Sequence, residues 1–229
     1  MSILTEIRSL FTPVTLGMLL DGLLLSFRLA VYILLVSILA GSVLAVLKTY
    51  GGRICDRIVT VYVEIFRNTP ILFWILVCYI AFPISNQYVR ASTGMIVVST
   101  AVCCEIVRSG LNAVARGQIE AGESQGLNTW QILWHIVLPQ CFQRIVPNVI
   151  NQTISVFKDT SFLGQVAIPE FLYCARRLLG TANKYTGHGI TIQDCFIIFG
   201  LAAIVYFVIN FSLSCLLRKL DRKSAGLQL

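Results

Sequence analysis

Charge is scarce in this chain. Only 13% of its 229 residues are charged, while 56% are hydrophobic. The mean hydropathy of +0.78 lies far above that of soluble globular domains and points to an integral membrane protein. Histidine is rarer still, with His135 and His188 alone. The eight cysteines contain no C-x-x-C pair. A metal site or a disulfide framework is therefore not expected, and the cysteines in apolar runs read as small hydrophobes. No G-x-x-x-x-G-K-[S/T] stretch is present, which excludes ATP binding through a P-loop. Serines are scattered, and neither histidine has an acid and a nucleophile at recognisable spacing, so no catalytic residues are expected. Basic patches interleaved with aromatics are missing too, which argues against nucleic acid as a partner. The net charge of +7 instead gathers at the ends of apolar runs, as topology and anionic lipid headgroups require. The first residues, MSILTEIRSLF, lack a signal-peptide cleavage pattern.

What the chain does have is long apolar runs. A weakly amphipathic stretch at 3–20 reads as an interfacial helix. Five membrane spans are expected at about 22–47, 58–82, 91–112, 136–157 and 195–217, since a span needs ~20 residues. The fold class is thus all-α and polytopic, a single transmembrane domain over 1–229. The second span is interrupted by Glu64, Arg67, Asn68 and Pro70. The fourth is the least apolar, with Gln140, Arg144, Pro147, Asn148, Asn151 and Gln152. It must be buried in the bundle or line a cavity. Lys48, Arg53 and Arg57, then Arg108 and Arg116, then Arg218, Lys219, Arg222 and Lys223 fall on one side of a five-span chain. That side is expected to be cytoplasmic, with the N-terminus outside and the C-terminus inside.

The stretch 120–139, EAGESQGLNTWQILWHIVLP, is polar and helical in pattern. Gly126 reads as the end of one helix and Asn128 as the cap of the next. Glu120 is placed at the start of the first helix, where its charge favours the dipole. Trp130, Leu133, Trp134 and Val137 recur at helical spacing as one apolar face, and Pro139 is expected to break or kink the path. This stretch resembles the EAA loop of the permease subunits of ATP-binding cassette importers. Glu120, Ala121, Gly126, Ile136, Leu138 and Pro139 match at the family's spacing, and Gly122 replaces the third small residue. The resemblance implies a coupling loop at 117–139 that docks in a cytoplasmic ATPase, with Glu120, Ala121, Gly126, Trp130, Leu138 and Pro139 as the coupling residues.

Glu-x-x-Arg recurs in the spans, as Glu64–Arg67 and Glu105–Arg108, and the i, i+3 spacing puts each pair on one helix face. Two readings stand: a self-neutralising brace, or a polar wall of a translocation path. Three further stretches are similar to the polar amino acid permeases, the histidine/glutamine/arginine type. They are Glu64 to Leu72, with Asn68 where that family usually has glycine; Cys104 to Glu120; and Phe157 to Ser161. Lys158 and Asp159 are chemically suited to a zwitterion, and equally to an interfacial salt-bridging turn. The substrate-pathway candidates are Glu64, Arg67, Asn68, Thr69, Glu105, Lys158, Asp159, Thr160 and Ser161.

The resemblance implies a permease that carries a polar amino acid across a bacterial inner membrane by alternating access. It implies no enzyme activity and no cofactor in this chain, ATP and Mg²⁺ being bound by a partner ATPase dimer. The other implied partners are a second copy or a homologous permease, an extracytoplasmic amino-acid-binding protein and membrane lipid. A non-transporting assembly or docking subunit and an ion channel are the alternatives. Glu64, Arg67, Glu105 and Arg144 in spans argue against a scaffold, and flux without ATP would mark a channel.

Overall fold

The computed structural model describes residues 3–226, with side chains described over 6–216. The expectations for the chain ends, and for the side chains of Arg218, Lys219, Arg222 and Lys223, lie outside the described residues. The elements are α1 (Ile3–Leu10), α2 (Pro13–Tyr50), α3 (Gly52–Arg67), α4 (Ile71–Ala81), α5 (Gln87–Asn112), α6 (Arg116–Ser124), α7 (Thr129–Ile132), a π turn (Leu133–Val137), α8 (Leu138–Asp159), a 3₁₀ segment (Thr160–Val166), α9 (Phe171–Gly180), α10 (Asn183–Thr186) and α11 (Ile192–Gly226). No strand occurs among the described residues.

Two expected elements divide. The stretch 3–20 is not one helix. Thr12 is extended and its hydroxyl accepts from the Thr15 amide, while Pro13 opens α2. Proline has no N–H to donate and steers the residue before it away from helix, so the chain turns there. Residues 13–20 therefore belong to the first span, a 38-residue helix of ~57 Å at ~1.5 Å per residue. The second span, expected at 58–82, is two helices meeting at 106°. Pro70 lacks the N–H that would continue α3, and the backbone turns over Asn68–Pro70.

Among the described residues, α2, α5 and α11 are long and apolar enough to cross a membrane, and the bent pair α3–α4 passes the same test only when its two helices are taken together. With 22 residues α8 is long enough to cross as well, but it carries too many polar groups to face lipid all round. Apolar stripes suited to lipid run along α2, through Leu24, Val31, Leu35 and Leu39, and along α11, through Phe196, Ile204 and Phe207, all exposed.

The core falls into three clusters in register along α2. One joins Ala45 to Val59, Val107, Leu111, Ile132, Leu133 and Cys141. A central one joins Leu29 and Ile33 to Ile75, Met95, Val156 and Phe157. The third joins Leu10 and Leu19 to Phe171, Leu178 and Ile198. The polar helix pair α6–α7 thus sits at one pole, and α1 with α9 at the other. Gly94 sets how closely α5 meets α4. A Cβ there would stand 2.5 Å from the Ile75 Cα and 2.6 Å from its nitrogen.

The pole formed by α9 is held by Glu170, fully buried between α2 and α9. Its carboxylate caps α9, accepting from the Leu172 amide at 2.8 Å and the Tyr173 amide at 2.7 Å. Ser26 of α2 accepts from the Phe171 amide at 3.2 Å. Burial pushes the Glu170 carboxyl from its ordinary 4.5 up to about 7, against the opposing pull of those two amides. The folded chain therefore holds this proton more tightly than the unfolded chain. Glu170 contributes its full stabilisation below 4.5 and loses it as pH rises through about 7. The melting temperature of the purified wild type should fall between about pH 6 and about pH 8 by more than that of Glu170→Gln, which does not titrate there. Equal slopes would show that this carboxyl does not change charge in the folded protein.

Candidate functional site

The turn between α6 and α7 is built from two end signals. Gly126 has φ +80°, its amide donates to the Glu123 carbonyl at 2.9 Å, and the Leu127 amide donates to the Gly122 carbonyl at 3.1 Å. This double closure requires a left-handed residue. No atom lies within 4 Å of a Cβ placed there, so backbone conformation alone demands glycine. Asn128 then starts α7 with a capping box: its side chain accepts from the Gln131 amide at 2.9 Å, and Gln131 accepts from the Asn128 amide at 2.8 Å.

Two expectations for this stretch are corrected, and the break or kink expected at Pro139 is narrowed. Glu120 lies in the middle of α6, not at its start, and pairs with Arg116 at 3.1 Å on the surface. Trp130, Leu133, Trp134 and Val137 do not form one face. Leu133 and Val137 are buried with Ile132, whereas Trp130 and Trp134 are 61% and 65% exposed. Ile132 and Ile136 extend the buried face away from the tryptophans, which are left at its edge. Pro139 does not break the path either, because helical residues continue from Thr129 to Asp159. The missing proline N–H is accommodated by a widened turn, in which the Leu138 amide reaches back five residues to the Leu133 carbonyl. Gly122 packs against Ile132 and Ile136, where a Cβ would come within 2.9–3.0 Å of side-chain tips. Glu120, Ala121, Gly126, Trp130 and Pro139 are exposed together at this pole, and Leu138 is half-buried.

The two Glu-x-x-Arg pairs differ. Glu105 and Arg108 close, with the guanidinium Nη2 at 2.7 Å and Nε at 3.0 Å from Oε2. Lys48 joins from the end of α2 at 2.9 Å. It was not singled out as a partner because it lies 57 residues away in sequence; its one signal was a cation at the end of an apolar run. Glu64 does not pair with Arg67. Its Oε2 accepts from the Asn68 amide nitrogen at 2.7 Å, and all three residues are exposed. Since α3 ends at Arg67, the following turn places Asn68 over Glu64. Thr69 braces the bend, donating to the Ile65 carbonyl at 2.7 Å and accepting from the Trp74 indole at 2.6 Å.

The clearest polar feature is on α8. Arg144, Asn148, Asn151, Ser155 and Lys158 stand four, three, four and three residues apart, so they form one stripe. All are exposed except Ser155, which is half-buried. Cys141, Ile145, Val156 and Phe157 of the same helix are buried, while the apolar Phe142 and Val146, away from the stripe, are exposed. Pro147 within α8 cannot donate to the Gln143 carbonyl, which adds an acceptor beside the stripe. Arg144 donates to the Ala113 carbonyl of the neighbouring α5 end. Lys158 ends the stripe. It borders a cavity of about 400 Å³ with Tyr206, Phe207, Asn210, Phe211 and Ser214 of α11. Beyond Asp159 the chain continues as the 3₁₀ segment and α9. Asp159 and Ser161 are half-buried, and the buried Thr160 hydroxyl donates to the Phe157 carbonyl at 2.7 Å. The structure thus gathers Lys158 with the α8 stripe and sets Glu64, Arg67, Asn68 and Thr69 at the α3–α4 bend.

An all-α bundle with apolar outer stripes, one polar helix face and an exposed helix pair at one pole defines a polytopic membrane permease. The family described as binding-protein-dependent transport system inner membrane component matches residues 37–226, and the chain belongs to it. A probable glutamine ABC transporter permease, GlnP of Bacillus subtilis, is 35% identical over 205 residues, covering 88% of this chain and 91% of that protein. The glutamate/aspartate import permease GltK of Escherichia coli O157:H7 is 31% identical over 219 residues, covering 90% and 93%. In fold, the chain is similar to an amino acid ABC transporter crystallised with histidines, with a TM-score of 0.76, 23% identity and coverage of 90% and 94%. It is also similar to the MetNI methionine transporter in an inward-facing form, with a TM-score of 0.69, 18% identity and coverage of 92% and 99%. The chain is therefore a multi-pass transport permease subunit of an ATP-binding cassette importer, and ATP hydrolysis belongs to a separate ATPase.

Proposed function

We propose that this permease imports a polar amino acid and that the stripe Arg144–Asn148–Asn151–Ser155–Lys158 lines the route. One observation carries this reading: a polar stripe, exposed at every position but Ser155, runs from Arg144 to Lys158 on a membrane-length helix. Such a face is too costly against lipid and requires water or protein. A single chain leaves it open on one side. A second copy, or a homologous permease, would close the route from the other. The relatives named for glutamine and for glutamate and aspartate support the choice of amino acid as substrate.

In this reading α8 is the fifth crossing. Lys48, Arg53, Arg57, Arg108 and Arg116 face the cytoplasm together with the C-terminus of a bacterial inner-membrane protein, and the N-terminus lies outside. The exposed pole with Glu120, Ala121, Gly126, Trp130, Leu138 and Pro139 docks on the ATPase dimer, which binds ATP and Mg²⁺. A binding protein delivers the substrate to the opposite pole. Because Thr129 to Asp159 is one helical path, a push on α7 passes directly into the stripe-bearing α8. Glu64, Arg67, Asn68 and Thr69 at the bend, and Glu105 with Lys48 and Arg108, border or brace the route.

The test is reconstitution with the ATPase and binding protein, followed by uptake of a panel of labelled amino acids. ATP-dependent accumulation of at least one polar amino acid is expected. No uptake of any amino acid in a complex that hydrolyses ATP would refute the substrate class, and flux without ATP would indicate a channel.

A further inference from the structure

A cleft of about 630 Å³ lies between the start of α2 and α9, at the pole opposite the α6–α7 turn. Gly22 sets its floor. A Cβ there would stand 2.8 Å from the Cys174 sulfur and 3.2 Å from the Glu170 backbone, so α2 and α9 meet at close range. Three charged side chains line the cleft, Asp21 and Arg28 from α2 and Arg177 from α9, and all three are exposed. Charges of both signs thus share one cleft, yet none of the three is in an ion pair among the described residues. Helix geometry fixes their depth in the membrane. Arg28 lies ~30 Å along α2 from Lys48 at ~1.5 Å per residue, and ~30 Å is the thickness of the hydrocarbon core. With Lys48 at one edge, Arg28 falls at the other, the level of lipid phosphates. Asp21 lies ~10 Å further out. Tyr88, also in the lining, is of the aromatic type that belts this interface. Towards the membrane centre the same face of α2 continues as Val31, Leu35 and Leu39, all exposed. From Asp21 through Leu24, Arg28, Val31 and Leu35 to Leu39 the steps are three or four residues, which makes one stripe.

We propose that this cleft binds a phospholipid of the phosphatidylethanolamine class, with its phosphate on Arg28 and Arg177, its ammonium on Asp21 and an acyl chain along Val31, Leu35 and Leu39. The charge set selects this occupant. Two guanidiniums answer one phosphate. The carboxylate answers a primary ammonium, and it disfavours a head group whose charge is only negative. A soluble phosphate compound would leave the apolar stripe unused, whereas the continuity of cleft and stripe suits a ligand with a tail. A lipid held there bridges α2 and α9 and braces the pole that α9 forms. The inference uses the membrane crossing of α2 and does not depend on what the permease carries.

The test uses the detergent-purified complex with its ATPase, stripped of lipid. It is titrated with phosphatidylethanolamine, with phosphatidylglycerol or with glycerophosphoethanolamine, which is the head group without acyl chains, and occupancy is read by native mass spectrometry. The wild type should bind phosphatidylethanolamine about fivefold more tightly than phosphatidylglycerol, the value of one partly exposed ion pair. It should bind the soluble head group at least about a hundredfold more weakly, for want of apolar contact. Arg28→Gln and Arg177→Gln should each weaken both lipids by about tenfold. Asp21→Asn should abolish the preference between them without weakening phosphatidylglycerol. No atom lies within 4 Å of a Cβ at Gly17, in the cleft lining one turn before Asp21. Gly17→Leu should therefore fill the cleft, leave the packing intact and weaken both lipids. Lys184→Gln, at the same pole but outside the cleft, should change nothing. Co-purification with the ATPase shows that each variant assembles, and if an arginine variant does not, Gly17→Leu and Asp21→Asn decide. Binding unchanged within about twofold in Arg28→Gln, Arg177→Gln and Gly17→Leu would overturn the site. Equal binding of the two lipids by the wild type would overturn the ethanolamine head group, and a soluble head group bound as tightly as the lipid would overturn the lipid. Amino-acid uptake is a separate measurement, so the transport reading stands or falls independently of these results.

Discussion

Gly126→Val should separate ATP hydrolysis from uptake while the membrane bundle still assembles. The glycine has φ +80°, a conformation that a β-branched residue adopts only at a cost of ~1–3 kcal/mol. No neighbour would be struck, so the strain acts wholly on the backbone. The paired bonds to Glu123 and Gly122 loosen, and α6 loses its fixed angle to α7. The core clusters do not include this residue, so insertion and packing of the spans should survive. The expected loss is at least about tenfold in uptake per ATP, since ~1.4 kcal/mol of misplacement is a factor of ten. A graded series checks the cause. Gly126→Asn should be mildest, because asparagine tolerates the left-handed region; alanine should follow, then valine. Glu120→Ala should weaken ATPase co-purification only slightly, since its ion pair with Arg116 is exposed. If valine couples as well as asparagine, the turn geometry is not what transmits the push.

Glu105→Gln should be the most damaging charge substitution in the bundle. It strands Lys48 and Arg108, whose contacts to Glu105 are 2.9 and 2.7 Å. Removing one partner of a buried pair costs ~3–5 kcal/mol, and the partial exposure of these side chains reduces that to ~2 kcal/mol. Neutralising only Glu105 and Arg108 still leaves Lys48, 13% exposed, without its partner. The double variant should therefore recover little, whereas Lys48→Met with Glu105→Gln and Arg108→Met should recover most of the yield. Purified yield and melting temperature of the three variants are the readout. A single Glu105→Gln variant as stable as the wild type would mean that the cluster is neither a brace nor a wall.

Much of this architecture was legible in the sequence because its causes are local. Gly126 and Asn128 announced the turn through backbone preference and capping. The polarity of 136–157 announced a helix that could not face lipid all round. Features that depend on distant contacts were not readable. Lys48 reaches Glu105 only because α2 and α5 lie side by side. The stripe on α8 has a helical period in the sequence, but which face is open depends on where α5 and α11 pack. Glu64 pairing with Asn68 rather than Arg67 follows from where α3 ends, and that is set by the sharp bend before Pro70. The split of the tryptophans from Leu133 and Val137 follows from Ile132 and Ile136, which draw the buried face round the helix and leave Trp130 and Trp134 at its edge.

The central claim is that the polar face of α8 meets water inside the membrane. It is tested most directly by placing single cysteines at Asn148, Asn151 and Ser155, and at Leu35 and Leu39 on the apolar stripe of α2, in a chain whose eight native cysteines are replaced. The assembled transporter is then treated with a charged, water-soluble thiol reagent, with and without ATP. The three α8 positions should react, at rates that change with ATP, and the two α2 positions should not. Unreactive cysteines at Asn148, Asn151 and Ser155 in every state would contradict the assignment of this face as the route.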